Sequence, residues 1–221
     1  MSSDLTASEV SSAVKASAAS ISKRFFVLEG IDGTGKSTVA REVQRLLMEK
    51  LNEDVILTAE PTSTWLGDNV RRSNKEDVNP FVETFLFLAD RAQHTEHIKG
   101  WLTSGKIVLS DRYYASTLAY QGVALRPLLG AKTFEWLKII NEPVIIRPRV
   151  TFLFRLDPEE SLARIGGREY KAKFEELAYL RNVELVYERI ARSDHSFFSI
   201  DASQPISAVI EEVFGVIESK L

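Results

Sequence analysis

Residues 30–38 read GIDGTGKST. Gly30, Gly35, Lys36 and Ser37 fit the pattern G-x-x-x-x-G-K-[ST]. The flanks fit it too. RFFVLEG (24–30) is a short apolar run ending in glycine and reads as a buried strand. KSTVAREVQRLLMEKL (36–51) places Val39, Val43, Leu46, Leu47 and Leu51 on one face of a helix. Strand, glycine loop and helix start, in that order, make a phosphate cradle. The glycines let successive N–H groups turn toward one anion, and the helix N-terminus adds partial positive charge. Lys36 has the reach for outer phosphates and Ser37 a hydroxyl for Mg²⁺. The pattern predicts a nucleoside triphosphate held by Gly30, Ile31, Asp32, Gly33, Thr34, Gly35, Lys36, Ser37 and Thr38.

Asp32 sits oddly in that loop. Two unit charges about 5 Å apart at an effective dielectric of about 20 repel by roughly 3 kcal/mol. Its carboxylate must therefore point away from the triphosphate. Two readings stay open: it accepts a hydrogen bond from a second nucleotide's sugar, or it is a solvated turn residue.

Outward from the loop, strands alternate with helices. DVILTAEP (54–61), KIVLSDR (106–112), RVTFLFRLD (149–157) and SFFSIDA (196–202) read as further strands. A polar stretch follows Pro61, and helices are expected over 80–105, 174–192 and 205–220. Residues 113–140 are expected to be helical in pieces, broken near Gly122 and Arg126-Pro127. Pro158 should open a helix, being tolerated in a first turn. The alternation predicts an α/β fold: a five-stranded parallel sheet with helices on both faces. Ligands of such sheets sit beyond the carboxyl ends of the strands. Those ends carry Gly30 to Ser37, Glu60-Pro61, Asp111-Arg112 and Asp157.

The 221 residues suit one domain, with 44% hydrophobic and 27% charged residues. A net charge of −3 argues against a general nucleic-acid binder, so any anion must be held by local cations. The absence of cysteine removes disulfides and thiolate metal sites. No apolar run is long enough to cross a membrane. Residues 1–22, rich in Ser and Ala, lack the features of a signal peptide and are expected to be a disordered extension without chemistry. The domain is expected over 23–221.

Five segments occur together: LEGIDGTGKST (28–38), TAEP (58–61), FLFLADRAQH (85–94), SDRYYASTLAYQG (110–122) and LDPEESLARI (156–165). In order and spacing the chain resembles the thymidylate kinase family, and the short GGREYKAKFEE (166–176) is similar to its archaeal branch. The resemblance implies a cytoplasmic P-loop kinase that moves a phosphoryl group from ATP to dTMP, giving dTDP and ADP, with Mg²⁺ as cofactor. It also implies a homodimer built through helices, to which the apolar 81–88 region contributes. Its pattern places Lys36, Asp111 and Arg112 at the reaction. Arg112 clamps the acceptor phosphate, and Asp111, with Ser37 and Glu60, organises Mg²⁺ and its waters. An ordinary buried Asp111–Arg112 ion pair is the other reading of that dipeptide. Phe87 is implied to stack on the base and Arg91 to reach its exocyclic oxygen. On composition alone Phe87 reads as core, as Phe85 and Leu88 do. Ser116, Thr117 and Gln121 are short polar groups beside Tyr120 in the dTMP site; Thr117 and Gln121 are implied to face the base edge, Tyr120 the 2′ side of the sugar, and Arg71 the acceptor pocket, with Arg72 solvated.

Some members of the family carry an arginine in the phosphate loop where this chain has Gly33 and Thr34. The missing charge is expected from a mobile lid over about 164–176, from Arg168 first, with Arg164, Lys171 and Lys173 as further candidates. Ala59 stands where the family reads arginine, and Arg149 where it reads an acid. A kinase for another nucleoside monophosphate or a deoxynucleoside is the neighbouring alternative; an ATP-dependent switch is the more distant one.

Overall fold

The structure is a computed structural model describing residues 22–165 and 177–221. Five parallel strands form the centre: β1 (Phe25–Glu29), β2 (Val55–Ala59), β3 (Ile107–Asp111), β4 (Val150–Arg155) and β5 (Phe197–Asp201), in the order β2-β3-β1-β4-β5. The helices are α1 (Lys36–Leu51), α2 (Trp65–Ser73), α3 (Pro80–Thr103), α4 (Tyr114–Leu129), α5 (Thr133–Asn141), α6 (Pro158–Ile165), α7 (Leu177–Ser193) and α8 (Ile206–Glu218).

Alternation along β1 explains how one strand serves two cores. Phe26 and Leu28 pack with Val39, Val43 and Leu47 of α1 and Val209 and Val213 of α8. Phe25 and Val27 point the other way, toward Ile98 of α3, Leu118 of α4 and Leu137 of α5. Every residue of β1 is buried, as a strand covered on both faces requires. The expected α/β architecture is therefore what the chain adopts.

Strand order reverses between β1 and β3, the switch point where such sheets bind ligands. Register pairs Leu28 with Asp111, so both strands end side by side. The phosphate loop leaves one of them and Asp111-Arg112 leaves the other. The Arg112 N–H continues the pairing past the strand end, donating to the Leu28 carbonyl at 2.9 Å.

The structure refines the local reading at three points. Residues 114–129 form one helix that runs through both Gly122 and Pro127. Gly122 is there for packing: a Cβ would stand 2.7 Å from the Phe134 ring of α5. Pro127 lies in the final turn, where only one helical hydrogen bond is lost. The polar stretch after Pro61 contains α2, with Asp68 in its first turn and Arg71 and Arg72 in its last. Gly67 lets this helix close on the preceding loop, since a Cβ there would lie 1.9 Å from the Thr62 carbonyl oxygen. Phe85 is not core either: it is 51% exposed, in a T-shaped contact with the Trp136 ring.

Candidate active site

The loop between β1 and α1 turns on Gly33 (φ 82°) and Gly35 (φ 86°), left-handed positions that favour glycine. Thr34 and Lys36 are buried within it, Ile31 is buried in the core beneath, and Ser37 and Thr38 are exposed. Lys36 Nζ donates to the Ile31 carbonyl at 2.7 Å and to Thr34 Oγ1 at 3.1 Å, so the ammonium is held across the loop. Burial, with the positive Arg112 adding to it, pulls Lys36 down to about 8. Asp111, Asp32 and Glu29 oppose that shift. The helix α6 leans over the loop: the Ser161 hydroxyl donates to the Asp32 carbonyl.

Beside the loop lies a cavity of about 200 Å³. Asp32, Phe87, Arg112, Ser116, Tyr120 and Gln121 all line it. Six residues expected at the acceptor thus come together from the phosphate loop, α3, the β3 end and α4. Phe87 is half-buried on its wall. Asn74, just past α2, also lines it and was not expected from sequence. Gln121 Nε2 and Asn74 Oδ1 are both buried without a hydrogen-bond partner, an unmet donor and an unmet acceptor on one cavity. Thr117 Oγ1 is likewise buried and unpartnered, though Thr117 is not on the cavity wall.

Arg112 has a left-handed backbone (φ 74°), unusual for a residue with a Cβ. Its Nη2 donates to Asp32 Oδ1 at 2.9 Å, and its guanidinium lies over the Tyr120 ring, 5.1 Å from the centroid. Burial works against its charge, but Tyr120, Asp32, Tyr187 and Asp111 outweigh it and hold Arg112 above its ordinary range. Burial pushes the Tyr120 phenol up as well. The Asp32 carboxylate thus faces the second cavity and meets a cation there, which removes the electrostatic misfit. The adjacent Asp111 does not form a closed pair with Arg112; its carboxylate accepts from the Ser37 hydroxyl.

Several expected site residues are engaged elsewhere. Arg91 is 0% exposed and donates to Glu60 Oε2 through Nε (3.0 Å) and Nη2 (2.6 Å). It also donates to Asn141 Oδ1 at 2.8 Å and to the Tyr113 carbonyl at 3.2 Å. These partners hold α3 to α5 and β2, and they keep Arg91 off the acceptor wall. The other oxygen of Glu60 contacts His94 Nδ1 at 3.0 Å. With both oxygens used and 5% exposure, Glu60 is a counterion within the core rather than a metal ligand in this structure. Arg71 donates to the Pro61 and Thr62 carbonyls at 3.1 and 2.6 Å, and to Asp68 at 2.7 Å. It lines a larger cavity of about 630 Å³, together with Ala59, Arg41, Ser37 and Asp111, not the cavity that holds Phe87. Arg164 pairs with Glu160 at 2.7 Å and donates to the Ala202 carbonyl at 3.1 Å. Arg168, Lys171 and Lys173 lie outside the described residues.

The Mg²⁺ expected here has a modest protein donor set. Ser37 and Asp111 bring a hydroxyl and a carboxylate into contact beside the phosphate loop. Among the described residues no cluster of three or more His, Cys, Asp or Glu could hold a metal. One hydroxyl and one carboxylate fit Mg²⁺, which keeps several waters and takes further oxygens from phosphates.

Sequence reasoning missed Glu29, which ends β1 directly before Gly30. It is fully buried and accepts from the Tyr113 N–H (2.9 Å), the Ser116 N–H (3.1 Å) and the Ser116 hydroxyl (2.6 Å). Burial pushes its carboxyl up, while Ser116 and Arg112 act the other way. A carboxylate closing an apolar strand, one residue before the loop, was the available signal.

The lowered Lys36 gives a pH test. In the free protein the ammonium is largely neutral above its value of about 8. A bound polyanion favours the charged form, so binding above that pH must take up a proton. In the free protein, the folded state binds fewer protons than the unfolded chain between about 8 and 10.5, so this group's contribution to stability rises with pH there. At about pH 9, calorimetry in buffers of different ionisation heat is expected to register uptake approaching one proton per ATP bound. Lys36→Met should abolish that uptake; equal uptake in both proteins contradicts the assignment.

Comparison with known proteins agrees with this geometry. The family model described as Thymidylate kinase matches residues 28–213. A "Probable thymidylate kinase" of Methanosarcina barkeri is 42% identical over 193 residues, covering 86% of this chain and 93% of the relative. Similar proteins with the same description occur in Methanoculleus marisnigri (38% identical, 87% of this chain, 93% of the relative) and Natronomonas pharaonis (37%, 88% and 97%). A family model over residues 28–213 and relatives of this identity and coverage show that the chain belongs to the thymidylate kinase family.

Proposed function

We propose that the chain transfers the γ-phosphoryl group of ATP to dTMP, giving dTDP and ADP, and that Asp32, Arg112 and the cavity beside them receive dTMP. The observation that carries the acceptor reading is the cavity itself. It is lined by a stacking ring (Phe87), a cation (Arg112), a carboxylate (Asp32), and an unmet donor and acceptor (Gln121, Asn74). A nucleobase offers the complementary edge and a π face; its sugar and phosphate offer a hydroxyl and an anion.

In this reading the phosphate loop holds the donor by its N–H groups, with Lys36 supplying positive charge to the outer phosphates. Arg112 binds the acceptor phosphate. The two anions repel, so catalysis consists of holding them in line and neutralising charge rather than of covalent chemistry. Asp32 serves both sides: it orients Arg112 and accepts from the sugar 3′-hydroxyl. Tyr120 closes the 2′ side. Ser37 and Asp111 would hold Mg²⁺, which would supply charge neutralisation to the phosphates. The Arg112 charge on the cavity wall favours a monophosphate over a nucleoside in this reading.

Homodimerisation, which the family resemblance implies, finds support in an apolar strip on α3 and α5. Val82, Phe85 and Ile139 are 49%, 51% and 63% exposed. Sedimentation at micromolar concentration is expected to give a dimer; a monomer throughout that range would contradict it.

For the reaction, the decisive assay is a steady-state panel of dTMP, dUMP, dCMP and thymidine with ATP. The expected order puts dTMP first in kcat/KM and thymidine last by a factor on the order of 100 or more, because thymidine leaves the Arg112 charge without its anion. A better rate with another acceptor would overturn the dTMP assignment.

A further inference from the structure

We propose that Tyr187 is a positioning residue for the acceptor phosphate: its hydroxyl and the Glu29 carboxylate form a buried socket that fixes where Arg112 points. The inference rests on the acceptor reading above and deepens it. Arg112 leaves β3 from a left-handed backbone, so neighbours rather than strand geometry must direct its side chain. On one side Nη2 meets Asp32 at 2.9 Å. On the other, Nη1 reaches Ser116 Oγ at 3.1 Å and Tyr187 Oη at 3.5 Å.

Those two hydroxyls are not free to turn. Both lie against one oxygen of Glu29, Ser116 Oγ at 2.6 Å and Tyr187 Oη at 2.9 Å, and they are 2.9 Å from each other. A hydroxyl has one hydrogen and two lone pairs. With the hydrogens spent on a buried carboxylate, the lone pairs are what remain for the guanidinium. Glu29 therefore makes two ambivalent groups into acceptors for a cation. Its other oxygen is occupied by the Tyr113 and Ser116 N–H groups, which fixes the carboxylate to the start of α4. Tyr187 is 1% exposed, with its ring edge-on to Tyr120 at 6.4 Å between centroids. It belongs to α7, which begins at Leu177 directly after residues 166–176. The socket thus ties that helix to the cation of the acceptor site, and a rotation of α7 would carry the hydroxyl off Arg112.

Tyr187→Phe removes one oxygen and keeps the ring. The expected result is a rise of about tenfold in the KM for dTMP, with the ATP KM held within about twofold and kcat within about threefold. The inhibition constant of thymidine, which lacks the phosphate, should stay at the parent value. Glu29→Gln should act in the same direction, and the double variant should lose less than the product of the two single losses. A dTMP KM within twofold of the parent overturns the proposal. So does a parallel loss of thymidine or ATP affinity, the sign of a merely structural ring. Failure of the dTMP reading is separately visible, because the parent protein would then not turn dTMP over. In that event the same comparison is made with the monophosphate it does accept and with the corresponding nucleoside.

Discussion

The Asp32–Arg112 ion pair is the contact on which the site depends. A carboxylate inside a phosphate loop is unfavourable beside a triphosphate unless it faces a cation on the other side. Arg112 supplies that cation at 2.9 Å, and it can do so because β1 and β3 end side by side. Parallel pairing between those strands therefore sets more than the fold. It brings the residue after one strand to the loop after the other. The phosphate loop and the cavity beside it meet through this salt bridge, which is partly screened from water.

Two other buried charge clusters serve different ends. Glu29 faces the start of α4 and supports Arg112 through hydroxyls. Glu60 is satisfied by Arg91 and His94 and holds α3 against the sheet. Each carboxylate ends or follows a strand, yet only the first adjoins the chemistry. Burial with full pairing marks a structural charge; burial beside a cavity marks one that shapes a ligand site. The same distinction separates Arg112, which lines the cavity, from Arg91, which does not.

The fold was readable because each strand is a short apolar run closed by a polar or glycine residue, and the helix after Lys36 has a clear apolar face. The helix α2 was hidden because TSTWLGDNVRRS is mostly polar and what it packs against is the following helix α3 rather than the sheet. Gly122 and Pro127 misled for opposite reasons. A glycine can sit inside a helix to admit a ring, and a proline near the end costs little. In the site, the phosphate loop follows from motif spacing, whereas the residues of the Arg112 cavity were implied by the family resemblance. For Arg91 and Glu60 the resemblance implied a base contact and a role at Mg²⁺, but it could not reveal that the two side chains pair with one another. Glu29, Asn74 and Tyr187 were missed for a related reason. The partners of Glu29 and Tyr187 lie 71 to 158 positions away, too far for any local pattern to reveal, and Asn74 is placed only by the cavity it lines.

The central claim is that Arg112, set between Asp32 and the Glu29 socket, reads the acceptor's phosphate. It is tested most directly by calorimetric affinities of Arg112→Met for dTMP, thymidine and ATP. The account predicts that dTMP binding falls on the order of 100-fold while thymidine and ATP stay within about threefold. Preference for the monophosphate should then disappear. A variant that still prefers dTMP to thymidine as strongly as the parent would contradict it, as would one that loses all three ligands together.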